Sequence, residues 1–79
     1  MLGTSSKYGR AIRRLERIRE GTPMTDSEFE SVRNHIENHI GLTPVRAVRD
    51  HVNASDKGIL CVTYRGGKWW HYREGNIWW

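Results

Sequence analysis

Apolar side chains return at helical spacing at Tyr8, Ala11, Ile12, Leu15 and Ile18, and Gly21 with Pro23 stops the run, so a first helix is predicted over about 6–20. At about 100° per residue, that stripe leaves Arg10, Arg13 and Arg17 together on the opposite side, a solvent-facing row with Lys7, Arg14 and Arg19 nearby. Thr25-Asp26-Ser27-Glu28 then reads as a capping box, with Met24 and Phe29 placed for a hydrophobic staple. A second helix follows over about 26–40, with Phe29, Val32, Ile36 and Ile40 along one face and Gly41 as the left-handed residue that closes it. Thr43 as a cap and Pro44 at the first helical position predict a third helix over about 44–53, with Val45, Val48 and Val52 inward. Residues 53–58 read as a polar turn.

From Ile59 the period drops to two, and β-branched and aromatic residues replace the helix formers on both sides of Gly66-Gly67. The pattern predicts a hairpin of strands over about 59–64 and 69–74. With a two-residue loop, Tyr64 faces Trp69, Val62 faces His71 and Leu60 faces Arg73, while Ile59, Cys61, Thr63, Trp70 and Tyr72 share the other face. A turn at Gly75-Asn76 brings a short third strand over about 77–79 back beside the second, with Trp79 near Tyr72 and Trp78 near Arg73. The expected fold is a single α+β domain over 1–79: three short helices followed by a C-terminal antiparallel β-hairpin or three-stranded meander. No internal repeat or long linker divides it.

Both faces of that hairpin are rich in apolar or aromatic side chains, whereas a small sheet packed on helices buries one face. One aromatic face is therefore expected to be core and the other an interaction surface. Tyr64, Trp69, His71 and Arg73 form the more amphipathic set and are the expected exposed one.

Composition narrows the classes. At 79 residues the chain holds one domain, and one cysteine allows no internal disulfide. Reducing cytoplasm is the expected setting. No apolar run approaches the roughly 20 residues that span a bilayer, and the first residues lack the pattern of a signal peptide, so neither a membrane nor a secreted role is expected. The formal net charge of +4 is segregated: residues 1–20 carry +4, residues 21–42 carry −3 and residues 57–79 carry +3. Two basic blocks around an acidic one favour a polyanionic partner.

Ile36, Ile40, Gly41 and Leu42 at the turn, Arg46 and Arg49 on the expected third helix, and Arg65 and Lys68 at the hairpin tip give an order over about 26–74. As a topological analogy, it is similar to the winged helix-turn-helix arrangement. That resemblance implies that the third helix enters the major groove and the wing lies along the backbone. Arg10, Arg13, Arg17 and Arg73 add further phosphate contacts. Trp69, Trp70, His71, Tyr72, Trp78 and Trp79 interleave with Lys68 and Arg73, the composition of a surface on which bases stack or a protein docks. Tyr64, Trp69, His71 and Trp78 are the partner-binding candidates.

Catalytic signals are weak. His35 and His39 are one helical turn apart and flank Glu37, but no third ligand is local, so an exposed pair of helix histidines is expected and no metal or cofactor is assigned. Cys61, between Leu60 and Val62, reads as a small buried hydrophobe. A ribonuclease built on His71, Arg73 and Lys68 has little support, and no enzyme is expected. The leading expectation is a small non-enzymatic nucleic-acid-binding regulator, with DNA ranked ahead of RNA. The alternative is a protein-binding inhibitor or adaptor, of the kind that viruses and mobile elements carry as accessory proteins, docking through the aromatic hairpin face or the acidic second helix. Homodimerisation through the uncovered sheet face is compatible with both.

Overall fold

A computed structural model describes residues 6–51 and 58–79. Helices α1 (Ser6–Gly21) and α2 (Asp26–Glu37) precede strands β1 (Pro44–Asp50), β2 (Ile59–Tyr64), β3 (Trp69–Arg73) and β4 (Ile77–Trp78), which pair antiparallel in chain order. Both helices lie on one face of the sheet, α1 against β1 and α2 against β3 and β4.

The helices form as their local chemistry dictates. Leu15 and Ala11 of α1 are buried, with Tyr8, Ile12 and Ile18 packed beside them, and Arg10, Arg13 and Arg17 are exposed. At the start of α2 the capping box is complete: the Thr25 hydroxyl accepts from the Glu28 amide, and the Glu28 carboxylate accepts from the Thr25 amide. Helix α2 ends at Glu37, short of the predicted Ile40, which is 85% exposed and outside the core. Leu15, Val32, Ile36, Leu60, Val62, Tyr64 and Tyr72 make the centre of a single core shared by helices and sheet.

The expected three-helix architecture is overturned: residues 44–50 form a strand, so the described residues make two helices and a four-stranded sheet. Val-Arg-Ala-Val-Arg carries β-branched side chains that lose rotamer freedom in a helix and pack well on a pleated surface. Pairing with β2 also satisfies an edge that a third helix would leave unpaired. Pro44 is tolerated as the first residue of a strand, where its missing N–H removes no ladder bond. Pro44 pairs with Tyr64 and Arg46 with Thr63, so Val45 is an extra residue, a β-bulge. Val52 and most of the turn read at 53–58 lie outside the described residues, as does the Lys7 side chain.

Register differs as well. The β2–β3 loop takes three residues, Arg65, Gly66 and Gly67, with the Tyr64 amide donating to the Lys68 carbonyl. Gly66 and Gly67 both adopt left-handed φ, at 92° and 91°. Val62 therefore pairs with Trp70 and Leu60 with Tyr72. The β3–β4 loop likewise takes Glu74, Gly75 and Asn76, and Tyr72 pairs with Trp78. Each extra loop residue shifts the expected pairing by one and turns the following strand over.

Polar side chains of α2 lock the last hairpin to the helix. The buried Ser31 hydroxyl donates to the Arg73 carbonyl at 2.6 Å and accepts from the Asn76 amide at 2.8 Å. The Thr25 hydroxyl donates to Glu74, and the Asn34 side-chain Nδ2 donates to Asn76 Oδ1. Ser31→Ala leaves both backbone groups without that partner and is expected to lower stability by about 2 kcal/mol in denaturant titration. A loss under about 0.5 kcal/mol, within the range of ordinary surface substitutions, would show that the hydroxyl does not hold the hairpin.

Candidate nucleic-acid interface

Strand pairing sorts the sheet's side chains into two faces. Ala47, Arg49, Leu60, Val62, Tyr64, Trp70, Tyr72 and Trp78 point toward the helices. Arg46, Val48 and Asp50 of β1, Ile59, Cys61 and Thr63 of β2, Trp69, His71 and Arg73 of β3, and Ile77 with Trp79 occupy the other side. Among the described residues, no helix covers this second face.

Two cross-strand rows organise it. Arg46, Thr63 and Trp69 form one, and Val48, Cys61, His71 and Trp79 the next; His71 and Trp79 exchange a pair of backbone hydrogen bonds. The His71 ring stacks on Trp79 with centroids 5.2 Å apart and meets Trp69 edge-on at 5.2 Å. The Arg73 guanidinium lies over the Trp79 ring at 5.3 Å. His71 Nε2 is 3.1 Å from Asp50 Oδ2, which pins the imidazole between the two indoles. Trp69 is 56% exposed and Trp79 48%, so each presents an accessible ring held by its neighbours.

Among the strand residues of this face, Asp50 is the one carboxylate, and it is engaged with His71. Arg46 and Arg73 supply positive charge, and exposed Arg65 and Lys68 extend it at the β2–β3 loop. Cys61 pairs across the ladder with His71. Burial first, and then the Asp50 charge, push its thiol above its ordinary value, so it stays neutral. The cysteine therefore lies half-buried on the open face, not in the core as expected. The His71 side chain suits positioning better than proton transfer: Nε2 is held by Asp50, and Nδ1 is enclosed without a partner.

The predicted site residues divide accordingly. Trp69, His71, Arg73 and Arg46 share the open face, Arg46 on a strand and not on a recognition helix. The winged-helix analogy lapses with that helix. Arg49 is turned inward, where its guanidinium bonds both Glu28 oxygens, at 2.7 and 2.8 Å, and the Pro23 carbonyl. Arg19 is also occupied, bonding the Met24 carbonyl and Asp26 and lying 5.0 Å over the Phe29 ring.

Tyr64 and Trp78 fall on the helix side. Tyr64 is fully buried and bonds the Tyr72 hydroxyl, which lies 2.7 Å from His35 Nδ1. Burial raises both phenols. Trp78 stacks on His35, centroids 4.6 Å apart and 16° between planes. His35 is thus buried among aromatic rings and not on an exposed histidine pair. No group of three His, Cys, Asp or Glu side chains among the described residues is placed to hold a metal.

Trp79, read from the sequence as part of the aromatic surface but not among the partner-binding candidates, takes the outer-face place expected of Trp78. The signal lay in the turn at Gly75-Asn76: a three-residue β3–β4 loop exchanges Trp78 for Trp79 beside His71 on the outer face.

Arg10, Arg13 and Arg17 stand apart from this surface, on α1. Arg13, Arg14 and Arg17 line a groove of about 410 Å³ together with Ile18 and Val45. No helix among the described residues is long and apolar enough to cross a membrane. No protein-family model, curated protein or solved structure matches the chain.

Proposed function

We propose that this protein is a non-enzymatic binder of single-stranded nucleic acid and that the open sheet face is its platform. The supporting observation is the fixed cluster Trp69–His71–Trp79, two of its rings half-exposed, with Arg46 and Arg73 beside it and Asp50, the one carboxylate among the strand residues of this face, already engaged with His71. Flat rings offer stacking surfaces to unpaired bases, and guanidinium groups at the margin meet the phosphates between them. A duplex hides its base faces, and the chain has no helix among the described residues that projects from the fold to read a major groove. Single strands are therefore the better fit.

Titration of oligothymidylate, oligouridylate and a random duplex at two salt concentrations tests this, with tryptophan emission and labelled-oligonucleotide anisotropy as readouts. Single strands are expected to quench emission and to bind less tightly as salt rises. Trp69→Ala and Trp79→Ala are each expected to weaken binding roughly 5- to 150-fold, the range for losing one stacked base, with little change in melting temperature. Unchanged affinity in both variants, or no anisotropy change at low salt, would overturn the proposal. Sedimentation at the same concentrations reads a competing occupant: a dimer whose tryptophans ignore oligonucleotide counts against it.

A further inference from the structure

Resting on the single-strand reading of the sheet face, we infer that the bound strand does not end on the sheet: its backbone crosses the β1 edge at Val45 and continues into the arginine groove of α1. The β-bulge carries this inference. With two residues of β1 set against one step of β2, consecutive side chains both escape the core. Val45, 48% exposed, lines the groove with Arg13, Arg14 and Arg17. Arg46, the next residue, is exposed on the open face in the row of Thr63 and Trp69. One irregularity thus joins the two positively charged surfaces of the fold by adjacent residues.

Dimensions and charge agree with a continuous path. From β4 to β1 the sheet is about 15 Å across at ordinary strand spacing, room for only a short run of stacked bases. Beyond the β1 edge no exposed indole lines the groove; its lining is three guanidinium groups with Ile18 and Val45. That surface suits a phosphodiester backbone and has little to offer a base. Arg10, one turn before Arg13 and Arg14 on α1, is exposed and prolongs the positive row. The occupant is therefore the sugar–phosphate continuation of the strand whose bases lie on Trp69 and Trp79.

The inference is tested with a short oligothymidylate of about four nucleotides and a long one of about twelve, both within the range of common single-strand site sizes. Wild-type protein is compared with Arg13→Gln/Arg14→Gln/Arg17→Gln and, separately, with Val45→Glu, which places a carboxylate at the crossing point. All four positions are exposed, and thermal melting verifies folding. In the triple variant, affinity for the long oligonucleotide is expected to fall at least tenfold at low salt. Its log–log salt slope should become shallower by about 2, the counterions released by three phosphate contacts. Binding of the short oligonucleotide and its tryptophan quenching should stay unchanged in both variants. Wild-type affinity for the long strand in both would overturn the path over the edge while leaving the sheet platform standing. Failure of both lengths to bind wild-type protein would instead remove the platform itself, and the path with it.

Discussion

Glu28→Gln and Arg49→Met are each expected to destabilise the fold by about 3 kcal/mol in equilibrium unfolding, the largest loss from any single contact described above. Glu28 is almost fully buried and takes two guanidinium hydrogen bonds from Arg49 while closing the capping box on Thr25. The Glu28 bond, ahead of its charge, raises the Arg49 pKa above the ordinary guanidinium range. Removing either member takes the counter-charge from the other, so the cost is chiefly that of a buried charge without its opposite partner in this pair. A domain of this size holds roughly 4–12 kcal/mol in total, and either variant removes a large part of it. The double variant, with neither charge left, should be less damaging than the two losses added together. Strict additivity would mean that the pair is not coupled. Because Arg49 faces the helices, its loss should act on stability and leave single-strand affinity of the folded fraction near wild type; a specific loss of affinity would return Arg49 to the interface.

Acid should weaken the fold through His35. Burial, and secondarily the neighbouring His39, lower its pKa from 6.5 to about 4. In the unfolded chain the imidazole takes up its proton near pH 6.5, whereas the folded protein refuses it until about pH 4. The stability contributed by the neutral ring is therefore complete above pH 6.5, declines as pH falls between the two values, and changes no further below pH 4. At 1.36 kcal/mol per unit, the loss across that window is about 3 kcal/mol. The ring faces Trp70, Trp78, Tyr72, Tyr64 and His39, with no carboxylate among its ring or hydrogen-bond partners to hold the added charge. His35→Gln keeps a polar group beside the Tyr72 hydroxyl and removes the titration. Urea unfolding followed from pH 7.5 to 4 should show a shallower decline in the variant; parallel curves would take His35 out of the acid response. Carboxylates that titrate in the same range cancel in that comparison.

The two helices and three of the four strands were legible because their signals are local. The capping box needs four residues, and the apolar stripe of α1 needs one face. Residues 44–50 were not, because Val45 and Val48 fit a helical spacing as well as a bulged strand, and only the unpaired edge of β2 decides between them. The hairpin faces failed for a related reason. Gly66-Gly67 looks like a complete two-residue turn, yet Arg65 belongs to the loop as well, and one residue of loop length decides which of Trp69 and Trp70 meets the core. Trp69, His71 and Arg73 were correctly grouped, since alternation along one strand is insensitive to register. Grouping them with Tyr64 depended on register and was wrong. Arg49 was misplaced because nothing in its neighbourhood reveals that Glu28, 21 positions earlier, takes its guanidinium.

The chain-order meander of the sheet also has a kinetic consequence. Each strand pairs with its immediate neighbour in sequence, so each ladder needs the closure of only one connecting segment. The bonds that reach furthest along the chain join Thr25, Ser27, Ser31 and Asn34 to the β3–β4 hairpin, across 42 to 49 positions. Docking of α2 onto that hairpin is thus the step with the highest entropic barrier, and it is expected to limit the folding rate.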